Sequence, residues 1–173
     1  MCALAFVDMR AYFANKAKEF VERYARSRLY ATPELRDYLE QVVSPSTGCQ
    51  CSDYWTLYRY IRKNKPKQIL ELGSGISTAI IAYAALPYGG FVTSMEEDTQ
   101  YFEATKAIIP ADLKNIDLCY SPSADYRHGP FVGRAYQAIP DRPYDFVFVD
   151  GPQYDAAFSF DADIIKLAQQ RAF

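Results

Sequence analysis

The run Glu71-Leu72-Gly73-Ser74-Gly75-Ile76-Ser77-Thr78 stands where a strand pattern gives way to a helix pattern. Glycines at that point let the backbone turn tightly and approach a ligand, and the free N–H groups of the following helix favour an anionic group. Gly-x-Gly alone is weak, so its neighbours decide what it could hold. A dinucleotide fingerprint has glycine at its third position, where this chain has Thr78. Glu71, two residues before the first glycine, would repel a pyrophosphate but could attract, directly or through water, the ammonium of a methionine moiety. Glu96 lies 23 residues after Gly73 in Ser94-Met95-Glu96-Glu97-Asp98, close to the position of a ribose-binding acid. A carboxylate there can accept from both ribose hydroxyls. Asp98 reads as the cap of the next helix.

Acid–base candidates are few. His128 is the only histidine, and imidazole chemistry suits a general base, but a lone loop histidine is more often simply solvated. Tyr126, Tyr136 and Tyr154 could line a pocket, although packing is the plainer role among 15 tyrosines.

These residues need a scaffold, and the chain supplies one in two parts. Residues 1–51 read as a helical extension and residues 52–173 as the α/β unit. Phe13, Ala17, Phe20, Val21 and Tyr24 recur at the spacing of one helical face, and Thr32-Pro33 opens a second helix with Leu35, Tyr38, Leu39 and Val42 as its buried stripe. Ser52 or Asp53 caps a third, whose Tyr54, Leu57, Tyr58 and Ile61 share a face. Five cations follow without an acid, Arg59, Arg62, Lys63, Lys65 and Lys67; they read as complements to a helix C-terminus and a solvated linker rather than a polyanion site.

From Lys67 the pattern becomes strand, turn, helix, repeated. Strands are expected over Gln68–Leu72, Phe91–Met95, Asn115–Tyr120 and Tyr144–Val149, with helices over Ser77–Leu86, from Tyr101 to Ile109, and over Asp155–Gln170. Such alternation implies a Rossmann-like, doubly wound, mostly parallel sheet between helix layers. The third strand should turn Ile116, Leu118 and Tyr120 inward, and the apolar fourth should lie buried on both faces. Residues 121–142 read as a long, functional loop with a short strand or turn near Phe131-Val132-Gly133.

Composition narrows the class further. With 173 residues, half of them hydrophobic, the chain can bury a core without disulfides, and four irregularly spaced cysteines make neither a disulfide framework nor a metal knuckle. A formal net charge of -2 gives no global attraction for nucleic acid or anionic lipid. The apolar start is interrupted by Asp8 with no long span behind it, so we expect a cytoplasmic protein without nucleic-acid or membrane partners.

Taken in order, Glu71 to Thr78, Ser94 to Asp98 and Val149-Asp150-Gly151-Pro152 resemble the class I S-adenosylmethionine-dependent methyltransferases, most closely small bacterial types with E-L-G-S-G-x-S-T and V-D-G-P motifs. Asp53-Tyr54-Trp55 shares the likeness, which runs from about Cys49 to Asp155. The resemblance implies S-adenosylmethionine as cofactor and a methionine and ribose pocket from Glu71, Gly73, Ser74, Gly75 and Ser77. Glu96 would hold the ribose, and Glu97 and Ser121-Pro122 would lie near the adenine. It also implies a small-molecule methyl acceptor bearing oxygen or nitrogen. Asp150, expected beside the glycine turn, could orient that acceptor, take its proton, or ligate a metal with Asp155; closing its own turn through backbone hydrogen bonds is an equal alternative.

The family fold has seven strands in the order 3-2-1-4-5-7-6, and four are legible here. That leaves an open apolar edge at the fourth. A truncated piece of a longer protein is the expectation, with a homodimer through that edge, or helices folded over it, as alternatives. Two other functions compete: an NAD-dependent oxidoreductase, suggested by Gly73-x-Gly75 alone, and a non-catalytic binding or assembly module.

Overall fold

The computed structural model describes residues 9–43, 50–152 and 162–170. Three helices come first: α1 (Met9–Tyr30), α2 (Pro33–Gln41) and α3 (Cys51–Asn64). The α/β part follows as β1 (Gln68–Leu72), α4 (Ile76–Ala85), β2 (Phe91–Glu96), α5 (Thr99–Ile108), β3 (Ile116–Tyr120), β4 (Ser123–His128), β5 (Phe131–Tyr136), β6 (Phe146–Val149) and α6 (Asp163–Gln170).

The main sheet has the order β3-β2-β1-β6, every pairing parallel, and is of the Rossmann-like α/β kind. Registers Ile69↔Val92 and Glu71↔Ser94 put those four side chains on one face. That face carries the larger core, where Ile69 and Val92 meet Leu57 and Ile61 of α3, Ile80 of α4, and Leu35 of α2. The other face packs Leu70, Leu72 and Met95 against Tyr136 and Tyr144, with Leu167 of α6 beside them. The chain enters β1 under control of Asp145, whose carboxylate accepts from Lys67 N (2.8 Å) and Gln68 N (2.9 Å) and so joins the starts of β1 and β6.

Long-range capping fixes the helical layer. Glu22 of α1 accepts from Cys51 N (2.7 Å) and Ser52 N (3.0 Å), covering two of the donors that an α-helix leaves free at its start. Burial alone would raise this carboxyl, but the hydrogen bonds from Ser52 and Cys51 outweigh it and its pKa falls below the ordinary value. Gln50, rather than Ser52 or Asp53, is the N-cap; Asp53 accepts from Gln50 N (2.9 Å) in the third position of the helix. Glu22→Ala is expected to cost about 1–2 kcal/mol, the usual worth of a lost cap, read by denaturant unfolding. A loss of only a few tenths would contradict that role.

The structure corrects several expectations. On α1 it is Ala25 and Leu29 that are buried, while Phe20, Val21 and Tyr24 are exposed. The apolar repeat is real, but the side of α1 that meets α3 is set by Glu22 and by Leu29 entering the core. The stretch expected as a loop is largely an antiparallel hairpin, β4 with β5, turning at Gly129-Pro130. Tyr120 is exposed, because β3 is an edge strand and that ring packs against Phe102 instead. β6 is not buried on both faces: it ends the described sheet, half-exposed, with Val149 exposed. The stripe expected on α3 holds, with Tyr54, Leu57, Tyr58 and Ile61 buried; on the second helix Leu35 and Tyr38 are buried, while Leu39 and Val42 are only partly so. Asp155, Tyr154 and Cys49 lie outside the described residues.

Candidate functional site

In β3-β2-β1-β6 the chain reverses direction across the sheet between β1 and β6, and open α/β sheets bind ligands at the carboxyl ends of the strands flanking such a reversal. Gly73 ends β1 there and Asp150 ends β6. Asp150 N donates to Leu72 O (2.7 Å) and Gly73 N to Met95 O (3.1 Å), so the glycine turn is tied to both neighbouring strands. Gly73 has φ +95°, and a Cβ on it would stand 2.7 Å from the carbonyl carbon and oxygen of Asp150 and from Gly151 N. Only glycine satisfies both the angle and the space. Asp150 itself is exposed at the mouth of the reversal, next to the glycine turn as expected.

Beneath the turn, Glu71 is fully buried. Its carboxylate accepts from Ser77 Oγ (2.6 Å), Thr78 Oγ1 (2.6 Å) and Ser94 Oγ (2.5 Å), and Thr78 Oγ1 also accepts from Gly75 N (3.1 Å). Burial raises this carboxyl from 4.5 to about 7; the three hydroxyls pull it down and the charge of Asp150 pushes it further up. Glu71, expected to attract a ligand ammonium directly or through water, has its carboxylate engaged by these three hydroxyls. The acid holds the first turn of α4 against β1 and β2.

Glu96 ends β2 with only 7% of its surface exposed. Oε1 accepts from Glu97 N (2.9 Å) and Asp98 N (3.0 Å); Oε2 accepts from Ser74 Oγ (2.8 Å) and Ser74 N (3.2 Å). Ser74 Oγ is also 3.1 Å from Thr105 Oγ1 of α5. One carboxylate thus fixes the start of the next turn and takes a hydroxyl from the glycine turn. Asp98 caps α5 as expected, accepting from Gln100 N and Tyr101 N.

The remaining candidates are placed differently. Glu97 pairs with Arg134 (3.6 Å) and accepts from Ser123 Oγ, while Arg134 Nε donates to Ser123 Oγ (3.0 Å), so these three residues fasten the hairpin to the end of β2. Ser121 is buried and its Oγ accepts from Ala138 N (3.0 Å), holding the far end of the same hairpin. Tyr136 is fully buried, in keeping with a packing role, and its N–H donates to the buried Asp163 that opens α6. His128 is exposed at the hairpin tip. Ser123 is anchored at Glu97, and five steps of extended strand carry His128 roughly 16 Å away. It is not brought together with Gly73, Glu96 and Asp150.

Sequence reasoning assigned no role to Thr78 and Ser94 as partners of Glu71, to Thr105, or to the Glu97–Ser123–Arg134 link. The first two sit inside the quoted motifs, but seeing them converge needs the β1/β2 register. Among the described residues, no group of three or more His, Cys, Asp or Glu is placed to hold a metal ion, and no helix is long and apolar enough to cross a membrane.

The sheet is that of a Rossmann-like domain with the glycine turn at its topological reversal, and the strand order is the one the methyltransferase resemblance implies for its first four strands. No protein-family model and no curated protein matches the chain. Among solved structures it is similar to an O-methyltransferase from Bacillus cereus in complex with SAH, at 17% identity over 76% of this chain and 54% of that one, with a TM-score of 0.47. It is also similar to TomG from Streptomyces achromogenes, an O-methyltransferase in complex with SAM (17% identity, 76% and 53% covered, TM-score 0.46). The SAH-bound methyltransferase PaMTH1 of Podospora anserina is a third (14% identity, 70% and 53% covered, TM-score 0.43). The chain spans about half the length of these structures.

Proposed function

We propose that this chain carries the S-adenosylmethionine site of a methyltransferase acting on the oxygen or nitrogen of a small molecule. The observation that carries the reading is Glu96: a carboxylate at the end of β2, beside the glycine turn at the reversal of the sheet, already engaged with a hydroxyl and three amide donors. Its acceptor oxygens suit the donating hydroxyls of a ribose diol, which would take over the place of Ser74 Oγ on Oε2. The cofactor, when bound, supplies a methyl group activated on a sulfonium.

The chain's own residues then have limited tasks. Gly73 and Gly75 keep the turn free of side chains, and Glu71 beneath it holds Ser77 and Thr78 at the start of α4 through their hydroxyls. Asp150 stands at the open mouth, where it orients the acceptor or takes its proton, and methyl transfer demands little beyond such positioning. His128 has no part in this reading.

The test is transfer of label from methyl-labelled S-adenosylmethionine to a panel of phenols, catechols and amines. Labelled small-molecule product with release of S-adenosylhomocysteine supports the reading; a folded chain that binds the cofactor and labels nothing assigns it to a binding module instead. Glu96→Ala is expected to weaken S-adenosylhomocysteine binding at least about tenfold, the loss of a charged hydrogen-bond acceptor, as read by calorimetry. Binding unchanged in that variant would place the ribose elsewhere.

A further inference from the structure

The helical layer carries charge of the opposite sign to the sheet. Residues 1–67 hold 12 lysines and arginines against 7 acids, and residues 68–173 hold 7 against 14, so the formal -2 of the whole chain hides a strongly basic half. Part of that excess converges on a surface groove of about 820 Å³ between the end of α1 and the outer side of α3. Arg28, Arg59, Arg62 and Lys63 line it, all exposed, and none of the four forms an ion pair among the described residues. The guanidiniums of Arg28 and Arg59 lie 5.5 and 6.0 Å from the ring centroid of Trp55, which stacks on Tyr58. Glu34, which Tyr58 brings near, accepts that tyrosine's hydroxyl (3.3 Å).

Four like charges held around one concavity repel one another, and the dipole of α3 accounts only for the two in its last turn, Arg62 and Lys63. Arg28 comes from another helix, and Arg59 stands a turn earlier. Three of the four are arginines, whose planar fork matches phosphate oxygens in pairs. The volume is that of a small-molecule site, whereas a nucleic-acid surface would be an extended stripe. We propose that this groove binds a small molecule carrying two or more phosphate groups. Its lining is separate from the glycine turn, since none of Gly73, Ser74, Glu96 and Asp150 belongs to it. S-adenosylmethionine carries no phosphate, so the ligand is not the cofactor.

Trp55 is the only tryptophan, so its emission reports on this groove alone. The full chain is titrated with inorganic tripolyphosphate and with ADP, calorimetry giving the affinity and Trp55 emission the place. Saturable binding with an emission change is expected for at least one probe. It should weaken at least about tenfold when Arg59→Gln and Arg62→Gln are combined, and stay unchanged in Lys106→Gln on α5. Equal affinity for the two probes would assign recognition to phosphate alone; tighter binding of ADP would add the nucleoside. No saturable binding, binding without an emission change, or binding that survives the double substitution overturns the proposal. So does tighter binding of a single-stranded oligonucleotide at the same salt concentration.

Discussion

Gly73→Ala is expected to remove about 2–5 kcal/mol of stability and to abolish cofactor binding. Two costs add. A side chain at φ +95° is strained by about 1–2 kcal/mol, and a Cβ 2.7 Å from the Asp150 and Gly151 backbone must push the ends of β1 and β6 apart, an overpacking worth about 1–3 kcal/mol. The displacement falls at the reversal of the sheet, where Asp150 N bonds to Leu72 O, so the ligand site is lost along with the packing. Gly89 provides the control. It too has positive φ, at +71°, yet nothing lies within 4 Å of its would-be Cβ, so Gly89→Ala should cost only about 1–2 kcal/mol and leave binding intact. Equal losses in the two variants, measured by denaturant unfolding, would mean that the close approach of Gly73 to β6 carries no weight.

The second large effect is on pH. Glu71 is raised by burial from 4.5 to about 7 in the folded chain, so the folded state holds a proton that the unfolded state releases near its ordinary pKa. The stabilisation linked to that proton is complete below pH 4.5 and is lost as pH climbs through about 7, in total about 3 kcal/mol. Glu71→Gln keeps the volume, and the hydroxyls of Ser77, Thr78 and Ser94 can rotate to suit an amide, so the variant should fold and show a flat profile across the same window. Carboxyls lowered in the folded state, such as Glu19 and Glu22, act with the opposite sign and below pH 4.5, outside this window. Parallel pH profiles for the two proteins would show that Glu71 is not the titrating group.

Both predictions rest on features that linear spacing shows only in part. β1 and β2 were legible because short apolar runs are bounded by glycine and acid, and α4 because Gly75 and Pro87 bracket it. The strand order came from the family resemblance, the alternation of units giving only a parallel sheet with covering helices. The β4–β5 hairpin was not legible: Ser123 to His128 reads as polar loop, and only pairing with Phe131 to Tyr136 and the Glu97–Ser123–Arg134 link make it a strand. The α1 periodicity revealed an apolar face but not whether the chain covers it, and Phe20 and Tyr24 remain exposed.

At the site, the sequence singled out Glu71 and Glu96 but not which groups each would hold. The register Glu71↔Ser94 brings a third hydroxyl onto Glu71, a support that the linear spacing did not show. Asp150 was correctly expected beside the glycine turn because that follows from strand order alone. His128 could not be placed without the hairpin, whose length carries it away.

The central claim is that the reversal between β1 and β6 holds an adenosyl ligand through Glu96. Calorimetric titration of the folded chain with S-adenosylmethionine, S-adenosylhomocysteine and NAD tests it most directly. The account requires micromolar binding of the two adenosyl ligands and none of NAD. Binding of NAD in preference to them, or no binding of either adenosyl ligand by the folded chain, would contradict it.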